Sequence, residues 1–292
     1  MKLLRVGPPG EERPAVLDDT GRPRDLRSLL GQEADLDGAF FTSGQMARVA
    51  NALLRNELPL LREETAPGAL GGRIGAPVAR PGKVVCVGLN YRDHAEETGA
   101  DLPAEPIIFM KAPNTVVGPN DEVLIPRGSV KTDWEVELAV VIGKTARYLD
   151  SHEAALGCVA GYAISNDVSE REFQLERGGQ WDKGKSCETF NPLGPWLVTA
   201  DEVPDPQNLG LRLWVNGEAR QNGGTKNMIF GVAEVVHYLS QFMVLEPGDV
   251  INTGTPAGVA LGMPDQPYLR SGDVMELEID GLGRQRQTVG QA

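Results

Sequence analysis

The sequence predicts a mixed α+β fold, mainly β, and not a doubly wound parallel sheet. Three observations carry this expectation. Strand-like runs beyond Lys83 follow one another without regularly intervening helices. The clearest amphipathic helix is a single stretch, residues 230–243. The chain of 292 residues contains 35 Gly and 21 Pro, so it is rich in turns, with no collagen-like period. At this length one large domain, or a small one plus a large one, buries a core without disulfide or metal staples.

Residues 1–75 read as a small N-terminal α+β domain and residues 76–292 as the main domain. Leu3–Val6 and Pro14–Leu17 look like a hairpin, with Asp18-Asp-Thr-Gly as its turn. Two apolar segments follow, Leu26–Leu30 and Met46–Leu54, and the second has helical spacing. Residues 64–83 hold five Gly and three Pro without a period, which predicts a linker or rim segment. Val84–Leu89 is a buried strand by run length, and Asp121–Ile125 is a short edge strand ended by proline. Trp134–Ile142 is a long strand and Ala160–Ile164 a shorter one. Leu211–Arg220 is a hairpin with the Asn216-Gly turn signal. Val232, Val235, Val236, Leu239 and Met243 line one face of the helix. Glu246-Pro-Gly-Asp turns into a strand at Val250, and Val274–Ile279 is a last alternating strand.

Charge and composition exclude several classes. Lys plus Arg number 28 against 41 Asp plus Glu, a net charge of −13, which argues against a nucleic-acid surface. No run approaches the roughly 18 apolar residues of a membrane span, and Met1–Gly10 lacks the apolar core of a signal peptide. The three cysteines, 86, 158 and 187, are widely spaced and form no CxxC. That predicts a reducing compartment, the cytoplasm, and no structural zinc.

Asp133-Trp-Glu135-Val-Glu137 is the most informative segment. On a strand Glu135 and Glu137 share a face, about 7 Å apart, and the Ala-Val-Val-Ile run beyond them predicts cover on both sides. Two like charges there repel unless a cation neutralises them. Glu276 and Glu278 have the same spacing on a cleanly alternating strand, where a solvated face is the simplest reading, so spacing alone leaves both readings open. Asp167, at the end of another apolar strand, would complete an all-oxygen set suited to Mg²⁺ or Mn²⁺. It could equally cap a following helix, with Glu170 in its first turn.

Of three histidines, His152 and His237 sit in ordinary polar and helical settings. His94 follows a buried strand, and on a helical turn Glu97 lies beside it at i+3. A carboxylate there fixes the imidazole tautomer and raises its basicity, as a water-activating base requires, although such a pair is also a common surface ion pair. Lys111 ends an apolar strand, and Lys185 lies in a tight loop where a cation can stabilise an enolate. Lys183 reads as a surface lysine.

Together these residues resemble the fumarylacetoacetate hydrolase superfamily. The matching pieces, in the family's order, are Gly88-Leu-Asn-Tyr-Arg-Asp-His94-Ala-Glu-Glu97, Phe109-Met-Lys111, Asp133-Trp-Glu135-Val-Glu137-Leu, Asn166-Asp167-Val-Ser-Glu-Arg171-Glu-Phe-Gln174, Gly184-Lys185-Ser186 and Thr253-Gly-Thr255-Pro-Ala-Gly258. The resemblance covers roughly three quarters of the chain, from about residue 80 onward.

The resemblance implies a β-roll catalytic domain, a homodimer or higher homo-oligomer, and a small-molecule keto-acid substrate. It implies Glu135, Glu137 and Asp167 as ligands to Mg²⁺ or Mn²⁺, and His94 with Glu97 as the water-activating dyad on a short lid helix. Lys185 would stabilise the enolate, and Lys111, Arg171, Gln174 and Thr255 would bind substrate. The implied reaction is metal-dependent hydrolysis of a carbon–carbon bond in a 2,4-dioxo acid. Residues 178–187 favour members acting on 2,4-diketo-3-deoxy-L-rhamnonate or -L-fuconate, giving pyruvate and L-lactate. Ureidoglycolate lyase, acylpyruvate hydrolase, oxaloacetate decarboxylase and a catalytically silent metal or keto-acid binding protein are the alternatives.

Overall fold

The computed structural model describes residues 1–61 and 72–292. The part of the expected linker before residue 72 lies outside the described residues. Just beyond it, Ile74 and Gly75 pair with the first strand.

Two sheets carry the fold, and the larger has eleven strands. Its path runs Pro23–Asp25, Arg13–Leu17, Lys2–Val6, Asn191–Thr199, Val159–Asn166, Val136–Ile142, Val250–Asn252, Val84–Gly88 and Ile107–Lys111. The second sheet has five strands, in the order Glu218–Gly224, Gly210–Val215, Val274–Ile279, Gly283–Gln291 and Val123–Ile125. The architecture is therefore the mixed, mainly β one expected. Among the described residues no helix is long and apolar enough to cross a membrane.

Strand Val136–Ile142 is central, and every residue in it is buried. Side chains on a strand alternate between faces, and here both faces are covered. Val136, Leu138, Val140 and Ile142 pack in one core with Leu213 and Leu277 of the smaller sheet. Ala139 and Val141 share a second core with Leu3, Phe40 and Phe41. The N-terminal strands also continue the large sheet, since Leu3 pairs with Leu197. Glu135 and Glu137 fall on the face of Ala139 and Val141, at the end where that core gives way to a cavity.

Helix Val232–Phe242 buries Val232, Val235, Val236 and Leu239, the stripe expected from the spacing. Residues 45–54 are helical, and Asn216-Gly217, both with positive φ, make the hairpin turn. Three local readings change. The Asp18–Gly21 turn joins Arg13–Leu17 to Pro23–Asp25, whereas the first two strands are linked through residues 7–12. No helix begins at Asp167, because Ser169 and Glu170 pair with Thr132 and Asp133 instead. A further strand, Gly283–Gln291, follows the one taken as last.

Candidate active site

Pairing between the two central strands assembles the acidic cluster. Val136 stands opposite Asn166, so Glu135 and Asp167 meet just past the last paired residues. The Asp167 amide donates to the Glu135 carbonyl at 2.9 Å. One carboxylate oxygen each from Glu135, Glu137 and Asp167 lies within 4.8 Å of the others, and all three residues are buried.

Cations surround this cluster unequally. Arg171 Nη1 lies 2.7 Å from Glu135, and Lys185 Nζ lies 2.9 Å from both Glu135 and Asp167. Lys111 Nζ donates to Asp167 and, at 3.0 Å, to the Val168 carbonyl. Among the described residues, Glu137 receives only the Gly254 amide, at 2.7 Å. The proton affinities follow from this arrangement. Burial pushes the Glu135 carboxyl up, but Lys185 and Arg171 outweigh it and hold it well below the usual carboxylate range. Burial also pushes Glu137 up, and Asp167 and Glu135 add to the effect, so its carboxyl lies well above that range. Burial opposes the charge on Lys185, yet Asp167 and Glu135 prevail and keep it cationic.

This donor set fits a divalent cation. The donors are hard oxygens only. The described cluster faces four buried carboxylates, Asp133 included, with three cations. Among the described residues, the carboxylate of this set left without a paired cation is Glu137. A buried charge needs such a partner, or it neutralises by taking up a proton.

Glu135 and Glu137 open on a cavity of about 220 Å³, whose lining does not include Asp167. Its polar lining includes Glu135, Glu137, Lys185, Arg171, Gln174 and Thr255. Its apolar lining includes Val87, Leu89, Phe109, Leu175, Trp181 and Leu261. Phe109 and Trp181 meet edge to face at 5.4 Å. Gln174 Oε1 accepts from Arg171 at 3.0 Å, which leaves its amide N–H groups for the cavity. Thr255 donates its hydroxyl to the Val136 carbonyl at 2.9 Å and so shapes the wall. Lys111 is not among the lining residues. It stands behind Asp167 with 1% of its surface exposed, so its contact is with the cluster rather than with the cavity.

His94 reaches the cavity from the short helix Arg92–Thr98. Its Nδ1 lies 3.4 Å from Glu97 Oε2, at the long limit of a hydrogen bond. Both Glu97 oxygens accept from the Gly258 amide, at 2.9 and 3.1 Å. Gly258 has φ +105, and a Cβ there would lie 2.0 Å from the Arg220 carbonyl, so only glycine presents this amide. Glu276 and Glu278 instead stand on the partly exposed face of the smaller sheet, where Arg284 and Arg212 pair with them. His152 and His237 meet edge to face, ring centroids 5.3 Å apart, outside the cavity lining.

Residues missed at the level of sequence are Asp133, Trp134 and Gly254. Asp133 continues the i, i+2 spacing of Glu135 and Glu137, but apart from the adjacent Trp134 amide its partners, Arg171, Ala260 and Leu261, are more than 35 residues away.

Comparison with known proteins adds a family. The model for the fumarylacetoacetate hydrolase C-terminal region matches residues 83–290. A Burkholderia multivorans protein with a provisional hydrolase name is 54% identical over 98% of each chain. The solved structure of a fumarylacetoacetate hydrolase from psychrophilic Exiguobacterium antarcticum is 36% identical, covers all of both chains and has a TM-score of 0.84. A maleylpyruvate hydrolase from Sphingobium, solved with a manganese(II) ion and pyruvate, is 29% identical over all of both chains, with a TM-score of 0.80.

Proposed function

The chain belongs to the fumarylacetoacetate hydrolase family, and from that premise we propose that it hydrolyses a carbon–carbon bond in a 2,4-dioxo acid. The observation that carries this reading is the convergence of Glu135, Glu137 and His94 on one cavity, with the Asp167 carboxylate within 4.8 Å of the two glutamates. Glu135, Glu137 and Asp167 would hold Mg²⁺ or Mn²⁺. When bound, such an ion supplies a doubly charged anchor for the substrate's carboxylate and 2-oxo oxygens and stabilises negative charge that develops there.

The chain's own residues supply the rest. His94 takes a proton from water, and Glu97 on its Nδ1 side holds the tautomer that leaves Nε2 free to accept. Water adds to the C4 carbonyl, the C3–C4 bond breaks, and its electron pair passes to a pyruvate enolate that is protonated at C3. Lys185, held charged in the cavity wall, provides a fixed positive charge for that enolate. Gln174 donates to substrate oxygen, Arg171 holds Glu135 in place, and Lys111 orients Asp167.

The small volume of the cavity and the apolar side chains in its lining support a short substrate that carries an apolar group. 2,4-Diketo-3-deoxy-L-rhamnonate and -L-fuconate end in a methyl group, and their cleavage yields pyruvate and L-lactate. The three unpaired cysteines support residence in a reducing compartment. The test is a panel of these acids, acylpyruvates, oxaloacetate and ureidoglycolate, with Mg²⁺ or Mn²⁺, read by pyruvate formation. Pyruvate from the dioxo acids is the expected result. Glyoxylate and urea from ureidoglycolate, with no pyruvate from any dioxo acid, would overturn the proposal.

A further inference from the structure

Asp133 is fully buried, and its carboxylate oxygens accept four hydrogen bonds. Oδ1 accepts the Trp134 and Ala260 amides, each at 2.8 Å. Oδ2 accepts the Leu261 amide at 3.0 Å and Arg171 Nε at 2.8 Å, with Arg171 Nη2 also 2.8 Å away. Beside it, the Trp134 indole N–H donates to the Gly258 carbonyl at 3.0 Å. Two adjacent residues thus grip 258–261 from both chemical sides, one accepting its amides and the other donating to its carbonyl. The amide of that same Gly258 holds both oxygens of Glu97. On the other side, Arg171 bridges Asp133 to Glu135.

We propose that Asp133, with Trp134, is a positioning residue that fixes segment 258–261 and, through the Gly258 amide, the Glu97 carboxylate, so that one stretch of chain, 133–137, sets the acidic cluster and the His94/Glu97 pair in register. Such an arrangement has a physical rationale. A reaction that needs water activated at a defined distance from an anchored substrate loses rate steeply when the two drift apart. Helix Arg92–Thr98 spans only seven residues, too short to hold its own position without tertiary contacts. Gly258, 125 residues beyond Asp133, provides one such contact at Glu97, and Asn227 provides another at Asp93, at 3.2 Å.

The catalytic meaning of this linkage rests on the proposed reaction, but the linkage itself is tested without turnover. Asp133→Asn keeps the volume and leaves one acceptor oxygen where two served. Its NH₂ must then face at least two N–H donors, whichever way the amide is turned. Amide hydrogen exchange of the full-length protein is the measurement. The variant is expected to speed exchange about tenfold or more in both 258–262 and 92–98, as befits loss of a hydrogen bond to a charged acceptor, while 136–142 stays protected. Acceleration at 258–262 alone, or at neither segment, overturns the proposal. If the variant fails to fold, native-state exchange of the unaltered protein in low denaturant decides. The linkage requires 258–261 and 92–98 to open in one event with one denaturant dependence, and separate opening free energies overturn it. In the pyruvate assay the variant should lose kcat far more than KM. A wild-type protein inactive on every dioxo acid would sink the proposed function and leave the exchange result standing.

Discussion

Gly262→Ala puts a single methyl against Glu97. A Cβ at 262 would lie 2.4 Å from Glu97 Cδ, 2.5 Å from Cγ and 2.7 Å from Oε2. Carbon contacts settle at about 3.5–4.0 Å, so the carboxyl group must retreat by roughly 1 Å. Glu97 now holds the Gly258 amide at 2.9 and 3.1 Å, and His94 Nδ1 is already 3.4 Å away. A retreat of this size breaks both relationships. The stability terms nearly cancel. Losing the amide bond to a partly exposed carboxylate costs about 1 kcal/mol, while replacing glycine at an ordinary φ restores roughly 0.4–1 kcal/mol through the unfolded chain. The rate has no such offset, because a displacement of about 1 Å in the base's support costs on the order of a hundredfold. The assay is kcat for pyruvate release at saturating substrate and metal, with the melting temperature and Mn²⁺ affinity measured in parallel. The expected result is a slow, normally stable enzyme that binds metal as before. A folded variant with wild-type kcat would refute the placement of Glu97 in proton transfer.

Further expectations follow from the unequal pairing in the cluster. Glu137→Gln removes the one carboxylate without a cation, so the chelator-treated protein should melt higher than wild type while Mn²⁺ affinity, read by calorimetry, falls by at least tenfold; a lower melting point for the chelated variant would contradict the pairing. Glu135→Gln strips a counter-ion from Arg171 and Lys185 and should cost about 3–5 kcal/mol in denaturant unfolding, the opposite sign at the same spacing. The pH dependence can be signed as well. The raised Glu137 carboxyl keeps its proton when folded at pH values where the unfolded chain, with its value near 4.5, has lost it. Its contribution therefore makes the metal-free protein less stable as pH rises from about 4.5 through the raised value, and saturating Mn²⁺ should remove that decline. A wild-type melting temperature that climbs with pH in chelator as steeply as that of Glu137→Gln would count against it.

What the sequence displays and what it hides divide along physical lines. Glu135 and Glu137 were legible because strand periodicity puts i and i+2 on one face, and the apolar run after them announces two-sided burial. His94 with Glu97 was legible because i and i+3 are neighbours on a helix. The last strand was not, because its inward positions are Gln285 and Gln287, both fully buried. Gln285 donates to the Ile164 carbonyl, and Gln287 accepts from Asn166, so a polar alternation that reads as surface is a satisfied interior. The role of Asp167 was legible only in part. Local sequence offers it a helix cap, and the cations that claim it instead, Lys111 and Lys185, come from separate elements. Asp133 shows the limit most clearly, since its period groups it with Glu135 and Glu137 while nothing local tells an anchor of backbone amides from a third cluster carboxylate. Its partners at 171, 260 and 261 are brought in by sheet pairing and by the return of the chain after Val250–Asn252. Local pattern thus discloses which side chains share a face, whereas the support that holds them within an ångström of working geometry is a property of tertiary closure. The same reasoning places the greatest sensitivity to distant substitution in the 258–262 segment, which contributes one side chain, Leu261, to the cavity and otherwise acts through its backbone.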